Sequence, residues 1–263
     1  MNSQMGADIV VTGRTADSAL ALAPLMHEFK WGPRDFDQLA AGSLAGHLIE
    51  CGGQATGGLF TDFDKVDGYE NLGFPIVEVD SAGDLVLSKP PGTGGLLSRH
   101  AVAEQMLYEV GDPGNYILPD VICDFTNVKM SDVSGGVAVT GARGKPPTST
   151  YKVSATYLDG FKATGVAVIG GGRAAVKARK TAEAILKRSK ALLKAKGMED
   201  FSRTHISVIG AEDNFGANAM DQSKLPREAV VWMGVAHGDR RAIDIWDGFL
   251  SFISRALFNK CFG

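Results

Sequence analysis

The sequence predicts an α/β protein in which an N-terminal α/β layer precedes a ββαββα, ferredoxin-like α+β subdomain. Three observations carry this. Short apolar runs of strand length alternate with longer runs of helical period over the first half. "GARGKPP" at 141–147 concentrates glycine and proline between two patterned regions. Beyond it, "YKVSATYL" and "FKATGVAVI" flank Asp159-Gly160, a strong short-range hairpin signal. The expected division is an α/β domain at 1–145, incomplete at its N-terminus, and an α+β sandwich subdomain at 146–263.

The elements follow in order. Asp8 to Thr12 is an apolar run of the buried-strand kind, and Ala16 to Glu28 reads as a helix. Pro33 and Asp35 open a second helix that runs to about Cys51. Phe74 to Asp80 and Leu85 to Lys89 flank Ser81-Ala82-Gly83-Asp84 as a hairpin. Leu97 to Val110 is a helix broken by Asp112, Pro113 and Gly114. "YILPDVICDF" is extended but interrupted by Pro119, and Val137 to Thr140 is a short strand. The second half adds a helix from Arg173 to Lys196, the strands "HISVIG" and "EAVVWMGVAH", and a helix from Asp239 to about Phe258.

Composition narrows the function classes. The 263 residues are 44% hydrophobic and 22% charged, the mix of a globular domain with a real core. A net charge of −3 gives no overall pull toward nucleic acid or an anionic membrane. Cys51, Cys123 and Cys261 form no CxxC pair, so a reducing compartment is expected. No apolar run approaches the ~20 residues of a membrane helix. A soluble, cytoplasmic chain without a membrane partner is the expectation. Arg173 to Lys196 carries nine basic residues against Glu183 alone, while Ala178, Ala182, Ile185, Leu192 and Leu193 recur near the helical period. No RNA-binding aromatic motif accompanies this basic strip, so it reads as a solvated face and nucleic acid is not the expected partner.

Four stretches hold candidate chemistry. In "VVTGRTADSALALAPLMHEF", Thr15 or Asp17 is placed to cap the helix, whereas Arg14 follows Gly13 at the carboxyl end of a strand, where open α/β sheets bind ligands. In "LAAGSLAGHLIECGGQATGG" small or apolar residues cover nearly every side, the pattern of a buried helix. Gly42 and Gly46 would admit another backbone there. His47, Glu50 and Cys51 share one face, joined by Gln54 if the helix continues through Gly52 and Gly53. A buried imidazole and carboxylate must pair or line a cavity. That leaves two readings, an acid/base site with Asp17 nearby or a structural pair between helices.

The third stretch is "PPGTGG", where Thr93, Gly94 and Gly95 precede a helix and form a candidate anion cradle or a plain Gly-rich turn. The fourth is "GARGKPP", whose Arg143 and Lys145 either clamp a phosphate or carboxylate or form a solvated turn. His27, His100, His205 and His237 show no partner in sequence. No complete metal-ligand set stands at a familiar spacing, so no metal is expected.

"ADIVVTGRTADSALALAPLMHEFKWG", "LAAGSLAGHLIECGGQATGG", "KPPGTGGLL", "AVAEQMLYEVGDPGNYILPDV" and "GARGKPP" followed by "YKVSATYLDGFKA" resemble the AtuA family of acyclic terpene utilisation proteins over most of the chain. The family is named for gene clusters that degrade citronellol and geraniol through acyl-CoA intermediates, beside acyl-CoA carboxylase and hydratase genes. The resemblance implies a place in branched acyl-CoA catabolism and assigns no catalytic residue. Family members begin upstream of Asp8, which implies a chain lacking the usual N-terminal segment.

Two functions follow as expectations. One is lyase or hydratase-type chemistry on a branched acyl-CoA, with His47, Glu50 and Asp17 moving a proton and Arg14, Thr93, Gly94, Gly95, Arg143 and Lys145 holding the ligand. Its only cofactor-like group would be the CoA moiety of the substrate. The other is a non-catalytic module bound to acyl-CoA carboxylase subunits. A homo-oligomer is expected in either case.

Overall fold

The structure, a computed structural model, describes residues 6–7, 9–219 and 227–248. Two compact units divide at Val153 and Ser154. The fold is mixed α/β, and every strand ladder described is antiparallel.

The first unit is organised around one helix. Helix α1 (Ala19–Phe29) packs on α2 (Phe36–Glu50), and α2 also meets α3 (Arg99–Leu107). Every residue of α2 from Leu39 to Leu48 is buried, as its covering of small and apolar residues on all sides predicts. Around it lie a four-stranded sheet and a three-stranded sheet. The first has the order β1-β2-β6-β5, from β1 (Ile76–Val79), β2 (Leu85–Ser88), β5 (Lys129–Val133) and β6 (Gly136–Thr140). The second has the order β3-β4-β7, from β3 (Tyr116–Ile117), β4 (Ile122–Asp124) and β7 (Arg143–Lys145). The predicted hairpin forms, with Val79 opposite Leu85. Pro119 sits in the tight connection between β3 and β4.

The glycines of α2 act as the spacing predicts. A Cβ at Gly42 would lie 2.7 Å from Leu22 Cδ1, and one at Gly46 would lie 2.6 Å from Ser18 Cα. The backbone just before α1 therefore rests directly on α2 at Gly46.

The second unit is a three-stranded sheet of order β8-β10-β9, formed by β8 (Phe161–Gly170), β9 (Arg203–Ile209) and β10 (Glu228–His237). Helix α4 (Ala174–Ala195) packs Ala178, Ala182, Ile185 and Leu193 against one face. A helix at 240–248 adds Ala242 and Trp246 to the same core. Arg179 pairs with Asp213 and Lys190 with Asp200, while most of the basic side of α4 faces solvent. The remainder of the predicted last helix lies outside the described residues.

Several expectations fail, for a shared physical reason. Residues 9–12 form no strand, and Ile9 and Val11 are 84% and 91% exposed. The segment 151–158 is likewise irregular and exposed, so the second unit lacks the first strand of the expected ββαββα order. A strand needs a neighbour for its N–H and C=O groups, and apolar patterning does not supply one. Asp159 pairs with Arg203 on β9, and both side chains are exposed. "GARGKPP" is no free loop, because Arg143–Lys145 pairs with β4. Strand β5, with its polar sequence KMSDV, had no apolar signal to reveal it.

Gly46→Ala tests the close helix approach. Alanine gains about 1 kcal/mol of helix propensity, whereas overpacking against backbone costs about 1–3 kcal/mol. A net loss of about 1 kcal/mol is expected in urea unfolding. Gly13→Ala, whose Cβ would meet nothing within 4 Å, is expected to be neutral.

Candidate functional site

Gly46 and Glu50 are one helical turn apart on α2, and this spacing builds the site. Because Ser18 rests on Gly46, its neighbour Asp17 is carried close enough to Glu50 to act on its charge. On the same end of α2, His47 Nδ1 lies 2.9 Å from Glu50 Oε1. From α3, Gln105 Nε2 donates to the His47 carbonyl at 2.8 Å. From β3, Tyr116 places its ring centroid 6.0 Å from that of His47. Glu109, just beyond α3, faces the same cluster electrostatically.

The two members of the pair differ in access. His47 is 1% exposed and Glu50 14% exposed. Glu50 is therefore the member that can meet a ligand, and His47 is its support. Among the described residues His47 Nε2 has no hydrogen-bond partner. A buried bare acceptor costs less than a buried bare N–H, which favours the tautomer with hydrogen on Nδ1, donating to Glu50.

Burial raises the Glu50 carboxyl above its ordinary range. His47 opposes that shift, while Asp17 and Glu109 add to it by like-charge repulsion. Tyr116 is pushed up by burial and then by Glu50, so it stays a neutral phenol. Buried Cys123 is pushed up to about 12, chiefly by desolvation, and is no nucleophile at neutral pH.

The other predicted site residues lie apart from this cluster or are engaged elsewhere. Arg14 is exposed, without a hydrogen bond or ion pair among the described residues, and follows no strand. Neither Thr15 nor Asp17 caps α1: its N-cap is Ser18, which makes no side-chain cap bond. Thr15 Oγ1 donates to Ala16 O instead. Helix α2 ends at Glu50 and Gly52 adopts φ 57°, so Gln54 leaves the shared face.

The anion cradle is filled by its own backbone. The N–H of Gly94 donates to Asn71 O, that of Gly95 to Asp67 O, and that of Leu96 to Thr56 O. Thr93 Oγ1 donates to Pro90 O at 2.6 Å. Arg143 lies 3.8 Å from Asp37 at the opposite end of α2, about 15 Å from His47 by helical rise. Lys145 Nζ donates to Gly114 O at 2.9 Å and pairs with Asp124. His237, unpartnered in sequence, accepts the Asp239 N–H at Nδ1 and contacts Glu199 O through Nε2.

The acyclic terpene utilisation family protein AtuA model matches residues 4–263. The chain belongs to the AtuA family. No curated protein and no solved structure matches it. Membership gives this AtuA protein a role in acyclic terpene utilisation. Among the described residues no helix is long and apolar enough to cross a membrane.

Sequence reasoning found His47, Glu50 and Asp17 but missed Gln105, Tyr116 and Glu109. No local pattern marks those three; only the docking of α3 and β3 against α2 brings them in.

The raised Glu50 pKa has a measurable consequence. A carboxyl raised in the folded state contributes stability below its unfolded value, near 4.5, and loses it as pH rises through the folded value. Glu50→Gln removes this ionisation. Its stability relative to wild type is expected to climb from about pH 4 to about pH 8 in urea unfolding. A pH-independent difference contradicts the buried-carboxyl account.

Proposed function

We propose that this AtuA protein catalyses a lyase or hydratase-type step on a branched acyl-CoA, with Glu50 as the acid/base group. The observation that carries this reading is a partly accessible carboxyl, raised by burial and braced by a fully buried imidazole at 2.9 Å. A raised carboxyl beside a supporting imidazole suits a group that must both give and take a proton.

Lyase and hydratase chemistry on a thioester share one step. A proton moves on or off the carbon beside the thioester, and the bonding electron pair is held in the thioester carbonyl. In the bond-breaking direction of a hydratase, Glu50 takes that proton and the pair expels hydroxide from the next carbon. In a lyase Glu50 takes the proton of the hydroxyl on the next carbon as the carbon–carbon bond breaks, and then returns it to the enolate left behind. His47 orients the carboxyl through Nδ1, and Asp17 sustains its raised pKa. Arg14, exposed and uncommitted, is the cation that holds the ligand's phosphate or carboxylate in this scheme. Arg143, Lys145 and the Thr93 loop have no part in it.

Thermal melts of the full chain with isovaleryl-CoA, free CoA and ATP test the reading. A ligand at ~100 times its dissociation constant adds about 2.7 kcal/mol to the folded state. The expected result is a rise with isovaleryl-CoA that Arg14→Ala reduces and Glu50→Gln retains, together with loss of dehydration of 3-hydroxyisovaleryl-CoA in Glu50→Gln. A transition that no acyl-CoA moves contradicts the proposal.

A further inference from the structure

Helices cover one face of the second unit's sheet, and among the described residues no helix covers the opposite face. Its centre is apolar: Val166, Val168, Ile209 and Trp232 are 65%, 66%, 51% and 46% exposed, with Val230 between them. Register places these residues together, since Trp232 lies opposite Val166 and Val230 lies opposite both Val168 and Ile209. A cluster of this size and flatness on a sheet marks an interaction surface rather than scattered exposed side chains.

Three features specify the occupant. The first is charge. Lys162 stands at one end of the face and Glu228 at the other, and neither makes an ion pair among the described residues. A face with opposite charges at its two ends is complementary to itself when turned end over end.

The second is Trp232. Its ring meets His205 on β9 at 6.0 Å between centroids, beside buried Gly234, and yet stays 46% exposed. An aromatic ring left half uncovered at the centre of a sheet face is the residue type that anchors a contact with a second surface.

The third is area. Three strands about 4.8 Å apart and seven to ten residues long present a face on the order of 400 Å² in projection. Side-chain corrugation brings its accessible surface toward the ~800 Å² that each partner buries in a stable complex.

We infer that two copies of this chain stack these sheet faces about a two-fold axis that crosses the strands between Trp232 and Gly234. Trp232 of each copy then lies over the Gly234–His205 position of the other. Lys162 lies over Val168 of the second copy, with its ammonium beside that copy's Glu228. The strands of the two sheets run nearly antiparallel across the interface, the aligned packing that sheet twist favours. Such a contact is isologous and closed, so it makes a dimer and does not propagate.

Sedimentation velocity on the full chain over a range of concentrations tests this. The wild type is expected to show reversible dimerisation. Val166→Lys places a charge at an exposed position in the centre of the face and leaves the covered side of the sheet untouched. It is expected to give monomers with unaltered circular dichroism, while Lys162→Glu and Glu228→Lys each weaken the dimer at least tenfold. The double variant Lys162→Glu/Glu228→Lys is expected to recover most of the wild-type association. A wild type that stays monomeric overturns the inference, and so does a dimer that Val166→Lys leaves intact, which would place the contact elsewhere.

Discussion

The contact on which the first unit depends is the seating of the Ser18 backbone on Gly46. A helix buried on every side must let its neighbours approach closely, and here the absence of one Cβ sets that distance. The consequence is chemical as well as steric. One residue before Ser18 is Asp17, and one turn after Gly46 is Glu50, so the same approach that packs α1 on α2 brings two carboxylates together. The site is a by-product of the packing at the end of α2 and is not carried by a separate loop.

Burying an imidazole and a carboxyl at that point costs free energy unless each finds a partner. The pair meets part of that cost between its own members, while Gln105 ties the last turn of α2 to α3 at the His47 carbonyl and His47 Nε2 stays without a partner among the described residues. The residual strain is electrostatic. Glu50 is held above its ordinary pKa by burial and by Asp17 and Glu109, while His47 pulls it down. Opposed influences on one partly accessible carboxyl distinguish it from the ion pairs Lys65–Asp62 and Arg240–Asp244, whose side chains are exposed and which contribute little.

Much of this was legible in the sequence where a residue's type fixes its own environment. The unbroken run of small and apolar residues from Leu39 to Gly46 announced a buried helix, and the four-residue spacing of Gly42 and Gly46 announced close neighbours. His47 and Glu50 stood out because nothing else on that helix was ionisable beyond its first turn. What escaped is information that belongs to the partner. Val10 and Val11, like Tyr151 and Val153, have the composition of strands, but nothing in their sequence says whether a neighbouring edge exists. Gly94 and Gly95 signalled a flexible backbone, yet not that their N–H groups turn inward to Asn71 and Asp67. Tyr116 and Gln105 reach the site only through topology.

The central claim is that Glu50, braced by His47, moves a proton beside a thioester. Solvent deuterium incorporation at the α-carbon of isovaleryl-CoA measures that step alone, apart from any later bond cleavage. The account expects the wild-type chain to exchange that hydrogen, His47→Gln to slow the exchange, and Glu50→Gln to abolish it in a chain that still binds the ligand. Exchange at the uncatalysed rate with the wild type, or equal exchange by wild type and Glu50→Gln, would contradict it.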